Sequence, residues 1–230
     1  MDAVKQLLLT RFKTLTLILV AISFSLVLLM LRIKLHQSFF FLFLIWNLFL
    51  AVIPYLITLY LSAKPHLSLW TFILGFMVWV LFLPNAPYIV TDLIHLRRAN
   101  GAYLWLDILV VLSFALSALF LFYLTLIDMQ HLIKANFKTK LPIVTLTNGL
   151  LFLCSFGVYL GRFLRYNSWD IISAPQSLFT TIFNMLKAPY QHQAIWLFTL
   201  GFGCFLSLGF WIFKHIRSPQ QEQTNKSAIV

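Results

Sequence analysis

The sequence predicts an all-α membrane protein with about six transmembrane helices and short interfacial helices in the third and fifth loops. Three observations predict it. Of 230 residues, 61% are hydrophobic and 10% charged, against about 25% charged in a soluble domain. The apolar residues fall into six runs, near 14–31, 38–61, 67–83, 102–127, 141–160 and 194–213; about 20 such residues cross a hydrocarbon core about 30 Å thick. The cations stand in ones, twos and threes at the ends of those runs, where their stems snorkel or meet anionic lipid.

Residues 1–217 then form one polytopic membrane domain, and 218–230 read as a polar, disordered tail. The formal net charge of +11 does not point to nucleic acid, because the cations form no basic stripe and no nucleic-acid fold motif is present. Cys154 and Cys204 lie inside apolar runs, as small membrane-helix residues rather than a disulfide framework or a CxxC pair.

Taken in order, the first run follows Lys5, Arg11 and Lys13 and continues to Arg32 and Lys34 without a small-x-small cleavage site. It reads as an uncleaved first membrane helix. The second holds Asn47, which needs a partner on another helix, and Pro54, which should kink it. The third, between Trp70 and Trp79 with Gly75 inside, is the shortest. The fourth opens near Asp107, a carboxylate suited to a helix N-terminus, and carries Ser113 and Ser117. The fifth contains Asn148-Gly149 and ends in Gly157-Val-Tyr-Leu-Gly161; the sixth has Gly203 and Ser207 at the same spacing. Small residues four apart allow close helix approach, within the chain or between two copies through Gly157 and Gly161.

The stretch 81–98 concentrates polar residues. Pro84 and Pro87 disfavour α conformation in Leu83 and Ala86, and a new helix can start after Pro87. Projected as an α-helix, Tyr88, Thr91, Asp92, His95 and Arg98 share one side, opposite Ile89, Val90, Leu93, Ile94 and Leu96. Asp92 and His95, three apart, are neighbours. They could act as an acid/base pair or metal ligands, with Asp107 as a third candidate, or Asp92 could simply orient the ring and balance Arg98. Spacing alone favours the second.

The fifth loop, Gly161-Arg-Phe-Leu-Arg-Tyr-Asn-Ser-Trp-Asp170, leads to an amphipathic helix near 175–187, of a kind that lies in the membrane interface. Arg162 and Arg165, three apart on the helical end of the fifth span, can point together. Arginine forks bind phosphate or carboxylate, although snorkelling explains them equally well. With six spans, Asn85, Tyr88, Thr91, Asp92, His95, Arg98, Asp107, Arg162, Arg165, Tyr166, Asn167, Trp169 and Asp170 fall on one side of the membrane, where they can converge. Ten Lys and Arg fall on the side of the termini and seven on the other, so the positive-inside rule places both termini in the cytoplasm.

Leu-Pro-Asn-Ala-Pro-Tyr-Ile-Val-Thr-Asp-Leu-Ile-His-Leu (83–96) and Gly-Arg-Phe-Leu-Arg-Tyr-Asn-Ser-Trp-Asp (161–170), set among these spans, resemble the bacterial membrane family named domain of unknown function 1361. The resemblance runs from the second span to the sixth. It implies a multi-pass protein of the bacterial plasma (inner) membrane and supplies no activity. The leading expectation is an extracytoplasmic polar site for an anionic lipid or other phosphate-bearing ligand. The alternatives are a membrane-embedded Asp/His hydrolase or transferase, with or without a metal, and a structural or assembly protein. No HExxH, Gly-x-Ser-x-Gly or DxD cluster is present, and the sequence specifies no cofactor. No ionisable residue lies deep in a span, which argues against proton-coupled transport.

Overall fold

A computed structural model describes residues 9–64, 66–98, 103–137 and 142–227. The described residues are helical, without strands. In order, the elements are α1 (Phe12–His36), a 3-10 turn (Phe40–Leu42), α2 (Phe43–Ser62), α3 (Leu69–Phe82), α4 (Asn85–Tyr88), a 3-10 helix (Ile89–Arg98), α5 (Leu104–Asn136), α6 (Ile143–Phe163), α7 (Asp170–Ser173), α8 (Pro175–Lys187) and α9 (Gln193–Ser227). Among the described residues, six helical segments are long and apolar enough to span a membrane, and each matches one of the apolar runs. The third continues to Arg97, because the chain stays helical past Pro84. The last stays helical to Ser227, through the polar segment that composition alone marked as disordered; Gln220, Gln221, Glu222 and Gln223 are fair helix formers.

The chain divides into two compact units, Met1–Lys138 and Thr139–Val230. In the first, α5 is the central element: 67% of its most apolar window is buried, against 22% for α1 and 39% for α2. On it pack α1, α2, α4 and the 3-10 helix, while α3 packs on α2.

Three polar pairs fix α1 antiparallel to α5. Arg11 is paired with Asp128, the Ser25 and Ser117 hydroxyls lie 3.3 Å apart, and Arg32 Nε donates to Asp107 Oδ1 at 2.9 Å. Arg11 and Arg32 are separated by the same 21 positions as Asp107 and Asp128. That is roughly 31 Å of helix, close to the thickness of a hydrocarbon core. The two ion pairs therefore match the two boundaries of a bilayer, and Ser25–Ser117 lies between.

Thr125 ties α5 to two further helices. Its hydroxyl accepts from Trp79 Nε1 at 2.8 Å, donates to the Pro54 carbonyl at 3.0 Å and lies 3.1 Å from the Thr58 hydroxyl. Inter-helix hydrogen bonds matter more here than in water, because lipid tails remove the hydrophobic drive for helices to meet.

The second unit pairs α6 with α9. A Cβ at Gly203 would overlap the Phe152 ring, so the absence of a side chain is what allows this approach. Phe198 touches the rings of both Tyr159 and Phe163, and Trp211 Nε1 donates to Asn148 Oδ1 at 3.3 Å. Cys154 is buried and Cys204 exposed, both as free thiols.

Candidate functional site

The prolines of the third loop behave differently from the sequence expectation. Leu83 keeps α dihedrals (φ −55°, ψ −40°), and Ala86 lies within α4. The preference against α before proline is modest, and here packing overrides it: Leu83 is wholly buried. Among the groups that hold this joint, the Asn85 amide donates to the Phe82 carbonyl at 2.9 Å. Asn85, a candidate ligand contact, thus has a structural bond. So does Thr91, whose hydroxyl donates to the Tyr88 carbonyl at 2.6 Å. Tyr88, the last residue of α4, is half-buried.

From Ile89 onward the chain winds as a 3-10 helix of ten residues, longer than the three or four that such geometry usually sustains. Three residues per turn stack i on i+3, so Ile89, Asp92, His95 and Arg98 form one row. This corrects the α-helical projection. Ile89 and Asp92 are buried together at 0% exposure, while Ile94, placed on the apolar side, is 41% exposed. Ile89 and Asp92 face inward, in a segment that packs on α5 and α2.

Asp92 is held there by Asn47 of α2, whose Nδ2 donates to Oδ2 at 3.0 Å. Asn47 thus has the inter-helix partner its position demanded. The other carboxylate oxygen lies 3.8 Å from His95 Nε2, too far for a hydrogen bond. The His95 side chain is 27% exposed. Its ring meets the edges of Phe40 and Phe43 at centroid distances of 5.8 and 5.0 Å. The result is an ordered series: amide, buried carboxylate, partly open imidazole between two aromatic rings. Arg98 closes the 3-10 helix, and its side chain lies outside the described residues.

Asp107 is engaged elsewhere. Its carboxylate receives Arg32, which also donates to the Ser38 carbonyl at 2.7 Å and lies 4.7 Å from the centre of the Phe41 ring. Sequence reasoning missed Arg32 as a partner and read it as a snorkelling cation. The equal spacing of Arg11/Arg32 and Asp107/Asp128 was the available signal. All three described carboxylates of the first unit, Asp92, Asp107 and Asp128, are at most 3% exposed. Lys34 and Arg97 are exposed. Among the described residues no three His, Cys, Asp or Glu side chains gather as a metal-holding group.

The other sequence motif belongs to the second unit. Arg162 is half-buried at the end of α6, which stops at Phe163. Arg165 lies beyond it in a left-handed conformation (φ 63°) and is exposed, so the helical spacing that would align it with Arg162 does not apply. Asp170 folds back on its own loop, accepting from the Asn167 N–H at 2.7 Å and the Ser173 hydroxyl at 2.9 Å. These donors hold its carboxyl below the ordinary value. The Tyr166 hydroxyl lies 3.1 Å from Ser177 Oγ and 2.9 Å from Thr181 Oγ1, strapping the loop to α8; the two hydroxyls lower its phenol from the usual range. Trp169 is exposed. Beside this strap, an open groove of about 660 Å³ is lined by Ser173 to Ser177, Thr180 and Thr181. On α8 Leu178 and Met185 turn inward, whereas Phe179, Phe183 and Leu186 stay exposed.

The chain matches the family model described as Protein of unknown function (DUF1361) over residues 46–208. It belongs to this family. No curated protein and no solved structure matches the chain. The DUF1361 region runs from Trp46 in α2 into α9. It includes Asn47, Asp92, His95, Asp107 and the loop 162–170, while Arg11 and Arg32 precede it. The DUF1361 description assigns no activity. The protein is a multi-pass membrane protein by its six apolar helices.

Proposed function

We propose that the Asp92–His95 end of the first unit binds an anionic, phosphate-bearing group such as a lipid headgroup, on the extracytoplasmic face of a bacterial plasma membrane with both termini cytoplasmic. One observation carries the reading: a wholly buried Asp92, fixed by Asn47, sets a partly exposed His95 at the surface. An imidazole packed against Phe40 and Phe43 can donate to an anion without first being ordered, which lowers the entropy lost on binding. Lys34 and Arg97 are exposed cations of this unit, and the Asp92 carboxylate beside His95 is engaged by Asn47. The boundary spacing of the α1–α5 ion pairs supports headgroup depth, because Arg32 contacts Ser38 and Phe41, adjacent in sequence to the Phe40 that touches His95. Asn85, Tyr88, Thr91 and Arg98 are the remaining candidates in this unit. In the second unit Arg162, Arg165, Tyr166, Asn167, Trp169 and Asp170 are candidates on their own loop.

The order Asn47, Asp92, His95 favours a second reading, acid–base chemistry in a membrane-embedded hydrolase or transferase. There a buried carboxylate orients an imidazole that exchanges a proton with substrate.

Native mass spectrometry of the detergent-purified chain beside a His95→Ala variant tests the first reading. The expected result is a phospholipid retained by wild type and lost in the variant. Absence of any effect of phosphatidylglycerol or inorganic phosphate on wild-type mass or thermal midpoint overturns it.

A further inference from the structure

The 89–98 segment carries a sequence period that its winding does not follow. Wound as an α-helix, it would set Thr91, Asp92 and His95 opposite Val90, Leu93 and Ile94; Arg97 alone would fall among the apolar residues. The 3-10 winding stacks i on i+3 and mixes the two kinds: Ile89 shares a row with Asp92 and His95, and Ile94 shares one with Thr91 and Arg97. Its hydrogen bonds are also poorer than those of an α-helix, which is why runs of this length are uncommon. Contacts from elsewhere in the first unit oppose that preference. Asn47 of α2 bonds Asp92 at 3.0 Å, the Phe40 and Phe43 rings bracket His95, and Ile89 is wholly buried. Local sequence and tertiary contacts thus favour different windings of the same residues.

We propose that Ile89–Arg98 is a two-state segment, latched in its 3-10 winding by the Asn47–Asp92 bond, and that rewinding to α withdraws His95 from the notch between Phe40 and Phe43. Measured from the buried Ile89, going from about 3.0 to 3.6 residues per turn rotates Asp92 by about 60° and His95 by about 120°. The rise falls from about 2.0 to 1.5 Å per residue, so the segment shortens by about 5 Å. These movements take Asp92 off Asn47 and the imidazole out from between the two rings, so latch and notch open together. The switch goes beyond the headgroup reading and rests on it in one respect. An anion on the docked imidazole gains only in the 3-10 winding, so it draws the segment that way, and the latch raises its affinity in return.

The test uses the full chain in a non-ionic detergent, with Cys154→Ala and Cys204→Ala and nitroxide labels on Met77→Cys and Arg97→Cys, two exposed positions that flank the segment. Pulsed electron paramagnetic resonance reads the distance between them. Asn47→Leu is expected to shorten it by about 5 Å, whereas the swap Asn47→Asp/Asp92→Asn, which keeps the bond, is expected to keep the wild-type distance. A wild-type distance in Asn47→Leu overturns the switch, and a shortened one in the swap overturns the bond as its latch. Should Asn47→Leu not fold, Phe40→Ala/Phe43→Ala, which opens the notch instead, decides: either it shortens the same distance or the switch is overturned. Phosphatidylglycerol added to the shortened variant is expected to restore the long distance. A variant that shortens and ignores the lipid upholds the switch and counts against the headgroup reading alone.

Discussion

The α1–α5 pair of the first unit and the α6–α9 pair of the second solve one problem by different means. Each joins two long apolar helices that lipid would solvate equally well apart. In the first unit the join is polar: an ion pair, a serine pair and another ion pair along one seam. In the second it is chiefly a matter of shape, with Gly203 taking the Phe152 ring and Phe198 lodged against Tyr159 and Phe163. Charges in register tolerate no sliding, since a one-residue slip separates every pair at once. A shape-based seam depends on volume instead. The two pairs should therefore fail to different mutations.

The largest effect is expected at the Arg32–Asp107 pair. Asp107→Ala leaves a guanidinium almost wholly buried without its carboxylate, at a cost of about 3–5 kcal/mol. The matching apolar double substitution, Arg32→Met with Asp107→Leu, should recover most of it. Denaturation in detergent measures both, and an Asp107→Ala midpoint equal to wild type would mean that the pair does not hold α1. An intermediate effect is expected in the second unit from Gly203→Ala. The added methyl must displace the Phe152 ring, with a loss of about 1–3 kcal/mol. Neutral replacement there, with a large loss on adding a charge nearby, would show that the seam is polar after all.

The smallest effect is local. Asp170 has a folded pKa below its unfolded one. Its contribution to loop order is therefore fully present above the ordinary carboxylate range and lost as pH falls through the lowered value. Asp170→Asn should raise amide exchange at 166–174 at neutral pH without shifting the global midpoint. Protection that is unchanged in the variant, or that rises on acidification once the intrinsic slowing of exchange is divided out, would remove Asp170 as the organiser of the loop.

What could be read early differed between the two motifs. Asp170, Asn167 and Ser173 lie within a few positions of each other, so their bonds follow from local geometry that spacing reveals. The Asp92 bond to Asn47 and the Asp107 pair with Arg32 cross 45 and 75 positions, where spacing gives no direction. The two tryptophans of the third span show the same limit. Both were placed by sequence near its ends, yet Trp70 is 80% exposed whereas Trp79 is wholly buried on Thr125. The face of the 89–98 segment was misassigned because an α period was applied to a 3-10 helix.

The sequence alone determined the class and the number of spans, because about 20 apolar residues leave a backbone no water to bond and oblige it to bond itself as helix. It also determined which residues could do chemistry, since a chain with six carboxylates has few candidates. Tertiary structure decided which of them do something together. Burial of a carboxylate in an apolar core is tolerated only where a partner from a distant segment meets it, and that meeting is a property of the packed helices.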